Sequence, residues 1–261
     1  MFGFFIKKSF FDGWDNIFNL VVANVISLIS GLILVGFIMM FFQFPFIAGI
    51  LFLILAAILG VFSVAYGEVA SQIADFKGVH VGDFFKAIPR SVKVGAVFGL
   101  LCAGIGIISF VAMKFYITQI QSIFGFLLAA FLFWLDIVIF LSLQWFVAIR
   151  SLLKNDFKKC LKKCFLIFFD NTGFSILMAI YTFILIVLSV FLMGFVPSLS
   201  GIVLAQVNAL RLRLYKYDYL EAHPELTSTG RKSIPWEELI YDDRETLGPH
   251  KLKQTFFPWK D

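Results

Sequence analysis

One carboxylic acid, Asp136, stands inside the apolar run FLFWLDIVIF at residues 131–140. An acid in such a run can relay a proton, bind a cation or hydrogen-bond a neighbouring helix. Its burial is costly, so each of these uses requires it to face protein or water rather than lipid. No Lys or Arg lies deep in another apolar run to pair with it. Counting inward from the ends of those runs brings Ser30, Ser109, Tyr181 and Gln206 to a similar depth. Ser30, Tyr181 and Gln206, with Asp136 itself, make the expected intramembrane polar site. Two uses remain open at this point, with the structural one ahead: a structural acid that joins helices, and a transport or proton-relay acid.

The other chemistry-bearing residues form no catalytic pattern. His80, His223 and His250 sit in no ligand spacing, and no nucleophile elbow or phosphate-cradling glycine loop occurs. Cys160 and Cys164 share the apolar side of one helical segment, where packing explains them better than zinc does. Cys102 lies in an apolar run, and all three thiols are expected to be reduced. Gly95 and Gly99 form a GxxxG step followed by Gly104 and Gly106, a pattern for close approach of membrane helices. The expectation is a non-enzymatic chain with no cofactor and no metal.

The elements that must position Asp136 follow from composition. Of 261 residues, 60% are hydrophobic and only 15% are charged, and the mean hydropathy is +0.92. Soluble domains carry roughly 25% charged residues. A membrane helix needs about 20 apolar residues. Six runs reach or approach that length, at 18–42, 46–67, 94–113, 123–149, 172–193 and 196–212. The last is cut short by Arg211 and Arg213. Tight turns at Gln43-Phe44-Pro45 and Gly194-Phe195-Val196-Pro197, and the segment from Lys114 to Ser122, join the runs in pairs. Of 22 basic residues, only Lys114 falls on the side of those turns. Basic loops stay in the cytoplasm, so both termini are expected there.

The segments that enter each pair resemble one another. They read FFDGWDNIFNLVVANV, VGDFFKAIPRSVKVGAVF and KNDFKKCLKKCFLIFFDNTGF. Asp83-Phe84-Phe85-Lys86 is echoed 73 residues later by Asp156-Phe157-Lys158-Lys159. In the third segment Phe157, Cys160, Leu161, Cys164, Phe165 and Phe168 make an apolar stripe, with Lys158, Lys159, Lys162 and Lys163 opposite. Such a helix lies in the membrane interface with its lysines toward anionic lipid headgroups. The expected architecture is therefore all-α and polytopic. It has six transmembrane helices as three hairpins, each preceded by a short amphipathic cytoplasmic helix. Residues 1–214 form the membrane domain and 215–261 a cytoplasmic tail, which carries nine acids against seven bases and ends in TFFPWKD. The expected partners are the lipid bilayer and its anionic headgroups, not nucleic acid.

The stretches GDFFKAIPRSVKVGAVFGLL and NDFKKCLKKCFLIFF, with the hairpin spacing, resemble the YesL-like family of bacterial integral membrane proteins over roughly residues 1–214. That resemblance implies an accessory or scaffold protein of the bacterial inner membrane, associated with a transporter complex for carbohydrate uptake. It supplies no catalytic residues. The alternative is a small-solute or proton/cation-coupled transporter that uses Asp136.

Overall fold

A computed structural model describes residues 1–120, 122–225 and 234–248. Every regular element among them is an α-helix: α1 (Phe2–Asp15), α2 (Ile17–Met40), α3 (Pro45–Ala74), α4 (Val81–Thr118), α5 (Ile123–Leu143), α6 (Phe146–Leu153), α7 (Phe157–Asp170), α8 (Thr172–Phe191), α9 (Ser198–Ala222), α10 (Trp236–Leu239) and α11 (Tyr241–Leu247). Their ends have local causes. Pro45 occupies the first turn of α3, where a missing N–H costs nothing. Asp83 caps α4 by accepting the His80 N–H at 2.9 Å. Ser122 caps α5 through the N–H of Gly125.

The threefold pattern of the sequence appears as three outgoing helices. They occupy 2–40, 81–118 and 157–191. The first and third are each interrupted at one asparagine, Asn16 and Asn171, and the second is continuous. At both interruptions the asparagine Nδ2 donates to the carbonyl four residues back, Asp12 O at 3.0 Å and Ile167 O at 3.2 Å. Asp15-Asn16 and Asp170-Asn171 are the dipeptides behind this shared local form.

The returning helices build the centre. The second half of α3, all of α6 and most of α9 pack on one another. They contribute the most completely buried side chains, among them Tyr66, Trp145, Phe146, Ile149, Leu204 and Leu210. The outer faces of α2, α5 and α8 instead expose Phe, Leu and Ile in bulk. An apolar surface of that extent is stable only against lipid. Five helical segments are long and apolar enough to cross a membrane: Ile17–Met40, Pro45–Ala74, Val81–Thr118, Ile123–Leu153 and Thr172–Phe191. By length and composition the chain is a multi-pass membrane protein.

The expected sixth span is not among the five. α9 begins at Ser198 and turns polar at Arg211, Arg213 and Lys216. The turn before it does not extend as far as the first turn does. Asn24 pins it, with Nδ2 donating to Phe195 O and Pro197 O at 2.9 Å each and Oδ1 accepting the Ser200 N–H at 2.9 Å. Asn24 is the eighth residue of α2, and sixteen more follow, ending at Met40. At 1.5 Å per residue, α2 continues about 24 Å beyond the level at which the third turn is held.

α9 then returns to the base of the bundle, where the chain begins. Asn208 donates to Asp12, Arg213 reaches the Met1 sulfur, and Arg211 pairs with Asp75 and Asp243. The expected boundary at 214 therefore falls inside a continuous helix. α10 and α11 are docked, with Ile240 and Leu247 buried and Lys7 Nζ donating to Gly248 O at 3.3 Å. Residues 249–261, with TFFPWKD and His250, lie outside the described residues.

Candidate functional site

α4 and α5 are joined by a short turn and run antiparallel, which sets Ser109 beside Asp136. Ser109 Oγ donates to Asp136 Oδ1 at 2.6 Å, and both residues are half-buried. The carboxylate opens on a cavity of about 550 Å³ bounded by α4, α5, α8 and α9. Most of its wall is apolar, with Phe98, Ile139, Phe140, Ile186 and Ile202. The polar lining is Ser109, Asp136, Gln144, Thr182 and Gln206.

Two of these carry unsatisfied oxygens. Gln144 sits at the α5–α6 break, where its Nε2 donates to Leu141 O at 2.9 Å and Ser175 O at 3.0 Å. Trp145 Nε1 donates to Ser175 Oγ at 3.0 Å and locks the same corner. This fixes the amide, and Gln144 Oε1 has no partner among the described residues. Thr182 Oγ1 is likewise unpartnered, and the two residues are 9% and 8% exposed. Buried polar atoms are normally hydrogen-bonded, so a ligand or water is the expected complement.

Of the side chains expected around Asp136, Gln206 shares its cavity and Ser109 bonds it. Ser30 and Tyr181 do not. Ser30 Oγ donates within α2, to Ile26 O at 2.8 Å and Ser27 O at 3.1 Å. Tyr181 points to the opposite side of α8, edge-on to Phe5, and lines a separate apolar cavity of about 500 Å³ beside α1. Depth counting carries no information about the direction a side chain takes around its helix. Gln144 and Thr182 escaped it because neither is charged and both stand among apolar residues; the only signal was an amide inside the run 123–149, near its end.

α7 also departs from expectation. Cys160 and Cys164 are fully buried, and Ile167 and Phe168 nearly so, against α5, α6 and α8. Protein rather than lipid covers the centre of the stripe, Cys160, Cys164 and Phe168, whereas Phe165 is left exposed. Burial pushes both thiols up from their ordinary pKa, which makes them poor nucleophiles. On the outward face Lys158, Lys159 and Lys162 are exposed and Lys163 is half-buried. That face continues as Phe165, Leu166 and Phe169, all exposed. The outward face thus changes from basic to apolar along its length.

No cluster of His, Cys, Asp and Glu that could hold a metal occurs among the described residues. Gly95 and Gly99 face α3, where an added Cβ would meet the backbone of Val61 and Ala56, and Gly60 faces Gly95 in the same way. Gly104 and Gly106 face open space. The first three bring α3 and α4 into backbone contact, the role small residues play in membranes. No protein-family model matches the chain, and no curated protein or solved structure matches it significantly.

Proposed function

We propose that this chain is a small-solute carrier whose intramembrane site takes an organic cation bearing N–H donors, a lipophilic amine. The observation that carries this reading is the arrangement of acceptors. Asp136, Gln144 and Thr182 line one largely apolar cavity, and the buried Gln144 Oε1 and Thr182 Oγ1 have no protein partner among the described residues. An ammonium group supplies the positive charge and the donors, and an apolar body fills the remaining wall. A bare proton needs no such space, since about 550 Å³ falls in the range of small-molecule pockets. A metal cation would need a compact shell of oxygens.

The positive-inside rule supports a cytoplasmic location for the base of the bundle, with its basic loops. The third helix pair enters from that side and turns within the membrane, so both termini remain cytoplasmic. The outward face of α7 then crosses the interface lengthwise, lysines toward headgroups and phenylalanines toward acyl chains.

The test is calorimetric titration of the purified full chain in lipid nanodiscs with hexylamine and phenethylamine, using hexanol and phenylacetate as controls. Saturable binding of the amines alone, lost in Asp136→Asn, supports the reading. Equal partitioning of amines and alcohols in both proteins refutes it.

An accessory role beside a carbohydrate uptake system is the second reading. One observation favours it: Glu237, Glu238, Asp242 and Glu245 form an exposed acidic patch on the docked α10–α11 segment, at an otherwise basic end. Such a patch suits a basic partner surface. Mild-detergent pull-down with these four acids changed to Gln separates the readings, because amine binding would be untouched.

A further inference from the structure

A second polar cavity, of about 760 Å³, opens at the base between the ends of α3 and α6 and the first third of α4. It shares no residue with the Asp136 cavity and does not depend on the function proposed for it. Four cations line it, Lys77, Arg90, Arg150 and Lys154, against two acids, Glu68 and Asp75. Asp75 is already engaged by Lys77 at 3.1 Å and by Arg211. Arg150 meets no carboxylate among the described residues; its Nη1 donates to the backbone carbonyl of Asn155 at 2.8 Å. That bond fixes the guanidinium at the rim, and the loop it closes presents Lys154 in a left-handed conformation, φ 50°. Arg90 and Lys154 are exposed and make no ion pair among the described residues.

The electrostatic balance favours an anion. The C-terminal ends of α3 and α6 approach the cavity and bring a partial charge of about −0.5 each. The lining, four cations less two acids, carries a net +2 and outweighs them. Guanidinium groups suit the tetrahedral oxygens of phosphate, and lysine adds an adjustable point charge. The volume exceeds what an inorganic ion fills, leaving room for an organic group attached to the phosphate.

We infer that this cavity binds a phosphate ester at the cytoplasmic membrane surface through Arg90, Arg150 and Lys154. The ester comes either from an anionic phospholipid headgroup reaching in from the leaflet or from a soluble metabolite. The shared chemistry is one phosphate held by three cations from two helices and a loop.

The probes are glycerol 3-phosphate and phosphatidylglycerol, with the full chain in phosphatidylcholine nanodiscs. Arg90→Gln/Lys154→Asn is the informative variant, because both side chains are exposed and Asn accepts the left-handed backbone at residue 154. Arg90→Gln alone serves as a second, milder variant. Saturable glycerol 3-phosphate binding, weakened about 10-fold or more in the double variant, supports a soluble ligand. Absence of that binding, with phosphatidylglycerol retained in native mass spectra of the wild type and lost in the double variant, supports a headgroup. Neither probe bound by the wild type, or both bound equally by wild type and a folded variant, overturns the inference.

Discussion

Asn24 and Ser200, 176 residues apart, are joined by a hydrogen bond of 2.9 Å from the Ser200 N–H to the Asn24 side-chain oxygen. The same amide holds two carbonyls of the α8–α9 turn, and Asn24 is 1% exposed. One side chain thereby sets how far the third helix pair extends. Asn24→Leu removes three bonds and leaves the buried Ser200 N–H without its acceptor. Interhelical bonds in membranes are worth about 0.6–1.7 kcal/mol each. The expected loss is about 2–3 kcal/mol, read as a lowered unfolding midpoint in detergent.

The level of the turns is itself measurable. A cysteine placed at Phe44 or Ile120 should react with a membrane-impermeant maleimide added outside intact cells, in a background lacking Cys102, Cys160 and Cys164. A cysteine at Phe195 should not, because Asn24 holds that turn about 24 Å short of the end of α2. Equal labelling at Phe195 would mean that α8 and α9 cross the bilayer in full.

Ser109 donates to Asp136, so the acid acts here as an acceptor. Asp136→Asn keeps a carbonyl oxygen for that bond, and folding should be nearly unchanged. Amine binding should fall by at least about 10-fold, which corresponds to roughly 1.4 kcal/mol. Asp136→Leu should lose the same binding and also cost about 1–2 kcal/mol of stability. Retention of binding in both variants would remove Asp136 from the site.

The α3–α4 seam predicts a contrast between glycines of one helix. Gly99→Ala drives a methyl into the backbone of Ala56, and Gly95→Ala into that of Val61. Overpacking of this kind costs about 1–3 kcal/mol, or more where backbone must move. Gly104→Ala and Gly106→Ala meet nothing within 4 Å and should be neutral or slightly stabilising. Thermal stability of the four single variants checks the pattern.

At the base, Lys8 and Asp12 form an ion pair at 3.1 Å with 1% and 5% exposure, and the ammonium lies 3.5 Å from the Phe76 ring centroid. Burial lowers the pKa of Lys8 and raises that of Asp12, each opposed by the other's charge. Removing one partner strands a buried charge, so Asp12→Leu should cost about 3–5 kcal/mol. Lys8→Met/Asp12→Leu should cost clearly less, although Asn208 then loses its acceptor. Chemical denaturation of the single and double variants gives the coupling directly.

The membrane class, the helical runs and the resemblance among the segments that lead into the outgoing helices were legible in residue order. Each depends on composition or on spacing along a single helix, and such signals survive without knowledge of neighbours. The depth of the third pair was not legible. Residues 196–212 are apolar enough to suggest a span, but their level is set by Asn24, far away in sequence. The partners of Asp136 were half legible. Depth along an axis can be counted, which found Ser109 and Gln206, whereas azimuth around the axis is decided by packing. Packing turned Tyr181 and Ser30 away and brought Gln144 and Thr182 to the cavity wall. The stripe of α7 shows the same division. Its period was visible in the sequence, but an apolar face is satisfied equally by lipid or by protein. Only the tertiary fold, by burying Cys160 and Cys164 completely, decided that protein covers its centre.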